Sequence, residues 1–292
     1  MSTSPGHIAR RPYREDVHLS ILGFGGYMLV GTEQKLANRL VAEALERGVN
    51  YFDVAPSYGN GEAEERLGVA LKPYRDRVFL ACKTYRRSAE GAKEELERSL
   101  GRLQTDHFDL YQFHGVRSKD VDRIFASEGA AEVFLRARDA GQVRFTGFSS
   151  HDDAAALAML DRFDFDSVLF PINFVCYAQA SVGPGVIGSA KEKGVSRLAI
   201  KALAFTPWGE REERTYPNCW YHPVSDPELA QQALRFTLSE DVTAAVSPGD
   251  HRLFSLVLDL ASGFSPLEPK ERERLLASTE GVQPIFPQAG MQ

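Results

Sequence analysis

Short apolar runs rich in β-branched and aromatic residues alternate with longer amphipathic stretches along most of the chain. The short runs are typical of buried strands, and the longer stretches repeat their apolar positions at the helical period. This pattern predicts eight strands, at residues 20–23, 50–53, 78–83, 108–114, 144–148, 167–170, 197–201 and 243–246. It predicts eight helices between and after them, at residues 33–48, 62–71, 89–103, 131–140, 154–160, 185–193, 227–239 and 251–261.

Regular alternation of strands and helices favours a parallel sheet covered by helices. The first four strand ends are separated by about 30 residues, which is the length of one βα unit. We therefore predict a single (β/α)8 TIM barrel domain over residues 1–292, with a long aromatic loop at 204–225 after the seventh strand, a short helix at 267–278 and a C-terminal tail. An open doubly wound sheet is the alternative, but the segment LGFGGYMLVG after the first strand lacks its GxGxxG spacing.

Composition and charge restrict the classes of partner. The net charge of -6 argues against a nucleic-acid binder, which needs a basic surface. We see no basic amphipathic stretch, no apolar run of about 18 residues and no apolar signal-peptide core, so no membrane association or secretion is expected. The three cysteines lie far apart without metal-ligand spacing, which favours a reducing compartment and no metal. The sequence thus predicts a cytoplasmic protein, a monomer or small homo-oligomer, that acts on a small molecule.

Polar side chains stand at the ends of three consecutive predicted strands. Asp53 ends the second strand and Tyr58 follows it, while Lys83 ends the third strand and His114 the fourth. Taken singly, each has an ordinary structural interpretation, such as a turn aspartate or a hydrogen-bonded histidine. Because the carboxyl ends of barrel strands meet at one face, where catalytic groups lie in barrel enzymes, their joint occurrence predicts an active site.

These four residue types suit the reduction of a carbonyl group. Hydride addition creates an oxyanion that needs a proton, and a tyrosine hydroxyl with a reference pKa of about 10 holds its proton too tightly for ready exchange. A lysine cation about 4 Å away interacts by roughly 4 kcal/mol at an effective dielectric of about 20, so Lys83 is expected to lower the pKa of Tyr58. Asp53 would orient Lys83, and His114 would polarise the carbonyl.

The motifs around these residues resemble those of the aldo-keto reductase superfamily. NYFDVAPSYGNGEAEERLG, the strand-end Lys83, DHFDLYQFH and VRFTGFSSHD carry the resemblance, which extends over nearly the whole chain and is weakest in its last third. It suggests a divergent bacterial-type member. The resemblance implies an NAD(P)H-dependent oxidoreductase that reduces an aldehyde or ketone, or oxidises the alcohol, with Asp53, Tyr58, Lys83 and His114 as catalytic residues and Tyr58 as general acid and base.

The resemblance also implies a nicotinamide dinucleotide across the barrel mouth, with NADP(H) favoured over NAD(H). Independently, the loop SPGDHR after strand eight opens a helix whose N-terminus favours an anion. Asp250 in this loop would repel a 2′-phosphate and Arg252 could compensate, so NAD(H) stays the alternative. The cofactor-binding residues implied are Gly25, Gly26, Asp53, Ser149, Ser150, Asn173, Lys201, Ala202, Leu203, Pro248, Gly249 and Asp250. The candidate substrate-binding residues are Tyr27, Tyr85, His114, Trp208 and Trp220.

Two other functions remain open from the sequence. One is a nicotinamide-binding regulatory protein of the same fold with little or no catalysis. The other is a lyase or isomerase in which Lys83 forms a Schiff base. That chemistry needs a lysine of lowered pKa, whereas the neighbouring Asp53 is expected to raise it.

Overall fold

The computed structural model describes residues 6–286, and eight of the strands within them close into a parallel barrel. The strands are β1 Arg10–Arg14, β2 Val17–Ser20, β3 Leu22–Gly25, β4 Tyr51–Asp53, β5 Phe79–Thr84, β6 Phe108–Val116, β7 Val143–Ser150, β8 Ser167–Pro171, β9 Ser196–Ile200, β10 Ala204–Pro207, β11 Tyr221–Pro223 and β12 Ala244–Val246. Around the barrel the order is β12, β3, β4, β5, β6, β7, β8 and β9. The predicted (β/α)8 barrel is confirmed. Residues 1–5 and the tail residues 287–292 of the predicted domain lie outside the described part.

Helices cover the outside of the barrel. They are α1 Gln34–Glu46, α2 Glu62–Leu71, α3 Ala89–Leu103, α4 Ser118–Ile124, α5 Ala131–Asp139, α6 Asp153–Arg162, α7 Phe174–Ala180, α8 Pro184–Glu192, α9 Pro227–Ser239, α10 His251–Ser262 and α11 Pro269–Ala277. Local sequence explains several helix ends. The Asp226 carboxylate caps α9 by accepting from the Leu229 N–H at 2.9 Å. Among the described residues, no helix is both long and apolar enough to cross a bilayer.

The barrel interior is a separate apolar core, distinct from the layer between strands and helices. Alternate strand residues point inward and fill it, as in other small barrels. Tyr51 is the largest of these inward side chains and is fully buried. Its ring occupies the space beside Gly23, where a Cβ atom would lie only 2.6 Å from the ring. The inner wall is thus shaped around Tyr51, directly below Asp53.

An N-terminal hairpin of β1 and β2 closes the amino-terminal end of the barrel. Tyr13 enters the inner core, contacts the rings of Phe79 and Phe145 at 5.1 and 5.4 Å, and donates a hydrogen bond of 3.0 Å to Ser167 Oγ. The sequence does not indicate this hairpin, because the segment RRPYREDVHLS has many charges and no clear apolar alternation.

Other elements differ in detail from the predicted ones. The first barrel strand, β3, begins two residues later than predicted, and the short helices α4 and α7 were not predicted. The long loop at 204–225 is confirmed but contains the antiparallel pair β10 and β11. The predicted C-terminal helix is present as α11. None of these differences moves the strand ends away from the mouth of the barrel.

Candidate active site

All four candidate catalytic residues line one cavity of about 300 Å³ at the carboxyl end of the barrel. β4 positions Asp53 and β5 positions Lys83, while β6 positions His114. Tyr58 begins a short turn after β4. Twelve of the predicted site residues line this cavity: Gly25, Tyr27, Asp53, Tyr58, Lys83, Tyr85, His114, Ser149, Lys201, Trp220, Pro248 and Gly249.

A buried ion pair forms the floor of the cavity. The Lys83 ammonium donates to Asp53 Oδ1 and to the Val54 carbonyl, the latter at 3.3 Å. The second carboxylate oxygen of Asp53 accepts from the Tyr51 hydroxyl and from Gln112 Nε2, each at 3.2 Å. Asp53 therefore has three side-chain donors, which compensate for its burial and hold it in one orientation. Neither Tyr51 nor Gln112 was a candidate from the sequence, although both lie within predicted strands.

Tyr58 lies above this ion pair, with its ring centroid 5.3 Å from Lys83 Nζ. Burial raises the pKa of Tyr58 to about 12, while the Lys83 charge acts in the opposite direction. The expectation that Lys83 would lower this pKa overall was wrong, because the cost of desolvating a tyrosinate exceeds the attraction of the cation. Tyr58 is thus protonated at neutral pH and able to donate its proton.

The charge state of Lys83 also bears on Schiff-base chemistry. Burial by itself lowers the pKa of Lys83. The Asp53 carboxylate and Tyr58 together raise it by more than burial lowers it, so the pKa lies above its ordinary value. A lysine in this state is a poor nucleophile, because its lone pair is protonated. The structure therefore disfavours the lyase or isomerase alternative.

His114 is a neutral imidazole in this cavity. Burial, and secondarily the positive charge of Lys83, hold the pKa of His114 well below its ordinary value. Its ring stacks on Tyr85 with centroids 4.0 Å apart and meets the edge of Tyr58 at 5.8 Å. Arg87 donates to the His114 carbonyl at 2.7 Å and fixes the backbone beneath the ring. A neutral imidazole keeps one N–H, which suits it to donate to a carbonyl oxygen.

The cation Lys201 enters the cavity from the opposite side. Its Nζ lies 5.2 Å from the Trp220 ring centroid and 4.8 Å from that of Tyr221. It forms no ion pair with any residue in the range 6–286, and burial lowers the pKa of Lys201 to about 8. Its backbone has a φ of 68°, a left-handed conformation that costs energy for a residue with a side chain.

Some predicted site residues lie away from the cavity lining: Gly26, Ser150, Asn173, Ala202, Leu203, Asp250 and Trp208. The Ser150 hydroxyl donates to the Val116 carbonyl at 2.8 Å, and Trp208 Nε1 donates to the Cys219 carbonyl at 2.7 Å. Both side chains therefore have structural partners here. The roles predicted for these residues remain predictions.

Eight further residues complete the lining of the cavity. His151 was detectable, because it follows the end of the fifth strand just as His114 ends the fourth. Asn218 and Tyr221 belong to the aromatic loop, whose fold determines which of its side chains face inward. Ile200 and Tyr221 were already candidates for the pocket from the sequence, whereas the other six were not: Ser57, His151, Leu169, Asn218, Val246 and Ser247.

Comparison with known proteins agrees with this geometry. The model of the Aldo/keto reductase family matches residues 21–246. The chain belongs to the aldo/keto reductase family. Similar relatives include the uncharacterized oxidoreductase YqkF of Bacillus subtilis, 35% identical over 270 residues that cover 82% of this chain and 86% of that protein. The aldo-keto reductase YhdN of the same organism is 40% identical over 146 residues, which cover 46% of this chain and 43% of YhdN.

Solved structures of the same family share the fold. The holo form of aldo-keto reductase AKR11C1 from Bacillus halodurans aligns with a TM-score of 0.73 and 28% identity over 93% of this chain and 96% of that chain. An aldo-keto reductase from Klebsiella pneumoniae, solved in complex with NADPH, aligns with a TM-score of 0.71 over 98% of this chain and 96% of that one, at 19% identity. Membership in the aldo/keto reductase family makes the chain an oxidoreductase of carbonyl substrates.

Proposed function

We propose that this aldo/keto reductase reduces an aldehyde or ketone with hydride from a nicotinamide dinucleotide, or oxidises the corresponding alcohol, and that Tyr58 exchanges the proton. One observation carries the proposal: Tyr58 and His114 converge above the buried Lys83–Asp53 pair in a single cavity. In this proposal a proton donor, a hydrogen-bond donor and a fixed positive charge surround one point, where the oxygen of a carbonyl group would lie.

Tyr58 supplies the proton in the direction of reduction. With a pKa of about 12, its hydroxyl is protonated throughout the neutral range. As the carbonyl oxygen gains negative charge, it takes the Tyr58 proton, and Lys83 stabilises the tyrosinate left behind. Asp53 keeps Lys83 charged and in place, and the Tyr51 hydroxyl and Gln112 amide keep Asp53 in place.

His114 orients and polarises the carbonyl group. Because its pKa is well below the ordinary value, the ring is neutral and offers one N–H rather than a positive charge. Its stacking on Tyr85 limits rotation of the ring, so the donor is preorganised before a substrate enters.

The residues on the opposite wall fit a nicotinamide dinucleotide. When bound, that group supplies or accepts the hydride. Lys201, which has no ion pair among residues 6–286, offers a positive charge to an anionic linker, and Ile200 offers an apolar wall beside it. Gly25 lets the end of β3 lie close to the loop after β12 in this wall, since a Cβ there would lie 2.7 Å from the Ser247 carbonyl oxygen.

We further propose NADP(H) as the preferred cofactor. Arg252 forms two hydrogen bonds of 2.9 Å with Asp250 and so neutralises the acidic residue that would repel a 2′-phosphate. The Arg252 side chain remains about half exposed and packs over Tyr216. The NADPH complex of the Klebsiella pneumoniae neighbour is consistent with this choice. Side-by-side fluorescence titrations with NADPH and NADH test it, and tighter binding of NADH would contradict it.

The variant Tyr58→Phe tests the chemistry. General acid catalysis is worth roughly 10²–10⁴-fold, so we expect kcat to fall by about that factor while NADPH binding and the unfolding curve stay unchanged. Tyr74→Phe is the matched control, because Tyr74 lies in the turn before β5 and outside the cavity. Unchanged turnover in Tyr58→Phe would refute the proposed role. Tight cofactor binding without turnover of any carbonyl compound by the unaltered protein would instead support the regulatory alternative.

A further inference from the structure

A second opening of about 790 Å³ lies beside the cavity that holds the four candidate catalytic residues, and it shares Tyr85 and His151 with that cavity. We call it the basic recess. Loops after β5, β6 and β7 form its walls, and Phe286 from the C-terminal segment covers one side, with its ring stacked 4.8 Å from that of His151. Its charged lining residues are Arg86, Arg87, Arg117, Lys119, Arg123, Asp120 and Asp152.

The recess has an excess of positive charge. Five cations and two carboxylates line it, whereas the whole chain carries a net charge of -6. One of the five, Arg86, pairs at 3.4 Å with Glu95, which lies outside the lining. Both carboxylates are already engaged. Asp120 pairs with the buried Arg87 at 3.3 Å, and Asp152 accepts from the Ser118 hydroxyl at 2.9 Å.

Three cations in the recess lack a counter-ion. Arg117, Lys119 and Arg123 are exposed and form no ion pair within the described part of the chain. Burial lowers the pKa of the neighbouring His151 to about 3, so it is neutral and adds no charge of either sign. Like charges gathered on one concave surface repel each other, and an anion bound between them would relieve that repulsion.

The position of the recess distinguishes it from the proposed cofactor site. The recess belongs to the third, fourth and fifth strands of the barrel. Lys201 and the SPGDHR loop follow the seventh and eighth strands, β9 and β12, on the other side of the mouth. An anion in the recess would therefore be a part of the substrate rather than a phosphate of the dinucleotide.

We propose that the basic recess binds an anionic group, a carboxylate or a phosphate monoester, at the far end of the carbonyl substrate. This inference rests on the proposed function, since it assigns a substrate class to the same site. The carbonyl group would lie against Tyr58 and His114, and the chain of the substrate would pass Tyr85 and His151, which line both spaces. Arginine guanidinium groups match the geometry of both carboxylate and phosphate oxygens.

Matched substrate pairs test this proposal. 4-Oxobutanoate is compared with its neutral methyl ester, and glyceraldehyde 3-phosphate with glyceraldehyde, in the unaltered protein and in the double variant Arg117→Gln/Lys119→Gln. We expect the unaltered protein to prefer at least one anionic member. The double variant should lose about tenfold in kcat/KM for that member, mainly through KM, and keep its rate with the neutral one. The two pairs separate carboxylate from phosphate recognition.

The control is Lys93→Gln, a residue on the outer face of α3 that is 70% exposed. It should change neither pair, and rising ionic strength should weaken the preference of the unaltered protein only for the anionic member. No preference in the unaltered protein, or an equal loss for both members in the double variant, would overturn the proposal.

A binding measurement keeps the two proposals separate. Calorimetric titration with inorganic phosphate needs no turnover, and we expect binding that the double variant loses and Lys93→Gln retains. If no carbonyl compound is reduced but phosphate binds in this way, the proposed function fails and the anion site stands. If neutral aldehydes are reduced, phosphate does not bind and neither anionic substrate is preferred, the function stands and the anion site is overturned.

Discussion

Replacing Lys83 by methionine should destabilise the protein more than replacing Lys83 and Asp53 together. Lys83 and Asp53 are both almost completely buried and form an ion pair at the base of the cavity. The single variant Lys83→Met leaves a carboxylate in that position without its cation. Only the Tyr51 hydroxyl and Gln112 amide, each at 3.2 Å, remain as donors to it.

The expected magnitude follows from this arrangement. Removing one partner of a buried pair typically costs about 3–5 kcal/mol of unfolding free energy, because a charge remains without compensation. The two remaining donors place the single variant near the lower end, at about 3 kcal/mol. In Lys83→Met/Asp53→Asn the charge is gone and the side-chain shape is kept, so we expect a loss of only about 1 kcal/mol.

Urea unfolding at pH 7, followed by circular dichroism, measures the difference, provided that the m-value is the same for all variants. Lys93→Met is the control, since its exposed pair with Glu97 at 3.8 Å should contribute less than about 0.5 kcal/mol. Equal losses in the single and double variants would refute the reasoning, because the cost would then come from lost packing and not from the isolated carboxylate. Carbonyl reduction should be lost in both.

Three further predictions follow from the geometry. Because the pKa of Tyr58 is raised to about 12, the steady-state rate of reduction should show no loss from Tyr58 ionisation below about pH 10. The rate of alcohol oxidation should rise with pH, because it needs the ionised Tyr58. A rate of reduction that already begins to fall near pH 8 would contradict this prediction. Because the folded-state pKa of His151 is about 3, below its ordinary 6.5, its stability contribution is complete above about pH 6.5 and decreases as the pH falls toward 3. His151→Gln should therefore lose less stability than the unaltered protein between pH 7 and pH 5 in urea unfolding. Gly23→Ala should cost about 1–3 kcal/mol, since the new Cβ would lie 2.6 Å from Tyr51. Gly101→Ala in α3, where nothing lies within 4 Å, should stabilise by about 0.5–1 kcal/mol in the same assay.

The sequence was sufficient to predict the barrel and the residues that converge at its mouth. Strand and helix periods are local properties, so eight alternations were visible without any tertiary contact. The carboxyl ends of all barrel strands lie at the same mouth of the barrel. Asp53, Lys83 and His114 could therefore be placed there from the positions of their strand ends alone. The N-terminal hairpin escaped prediction because its stability comes from Tyr13 packing inside the barrel and not from its own pattern.

Only the tertiary structure decided the energetics of the site. The sequence predicted that Lys83 would lower the pKa of Tyr58. The net shift of this pKa depends on how completely the cavity excludes water from Tyr58, and residues from many parts of the chain contribute to that exclusion. Likewise, Gln112 became a partner of Asp53, and Phe286 became a wall of the basic recess, through contacts between residues far apart in the chain. Distances of this kind are absent from local patterns, because they arise only when the barrel closes.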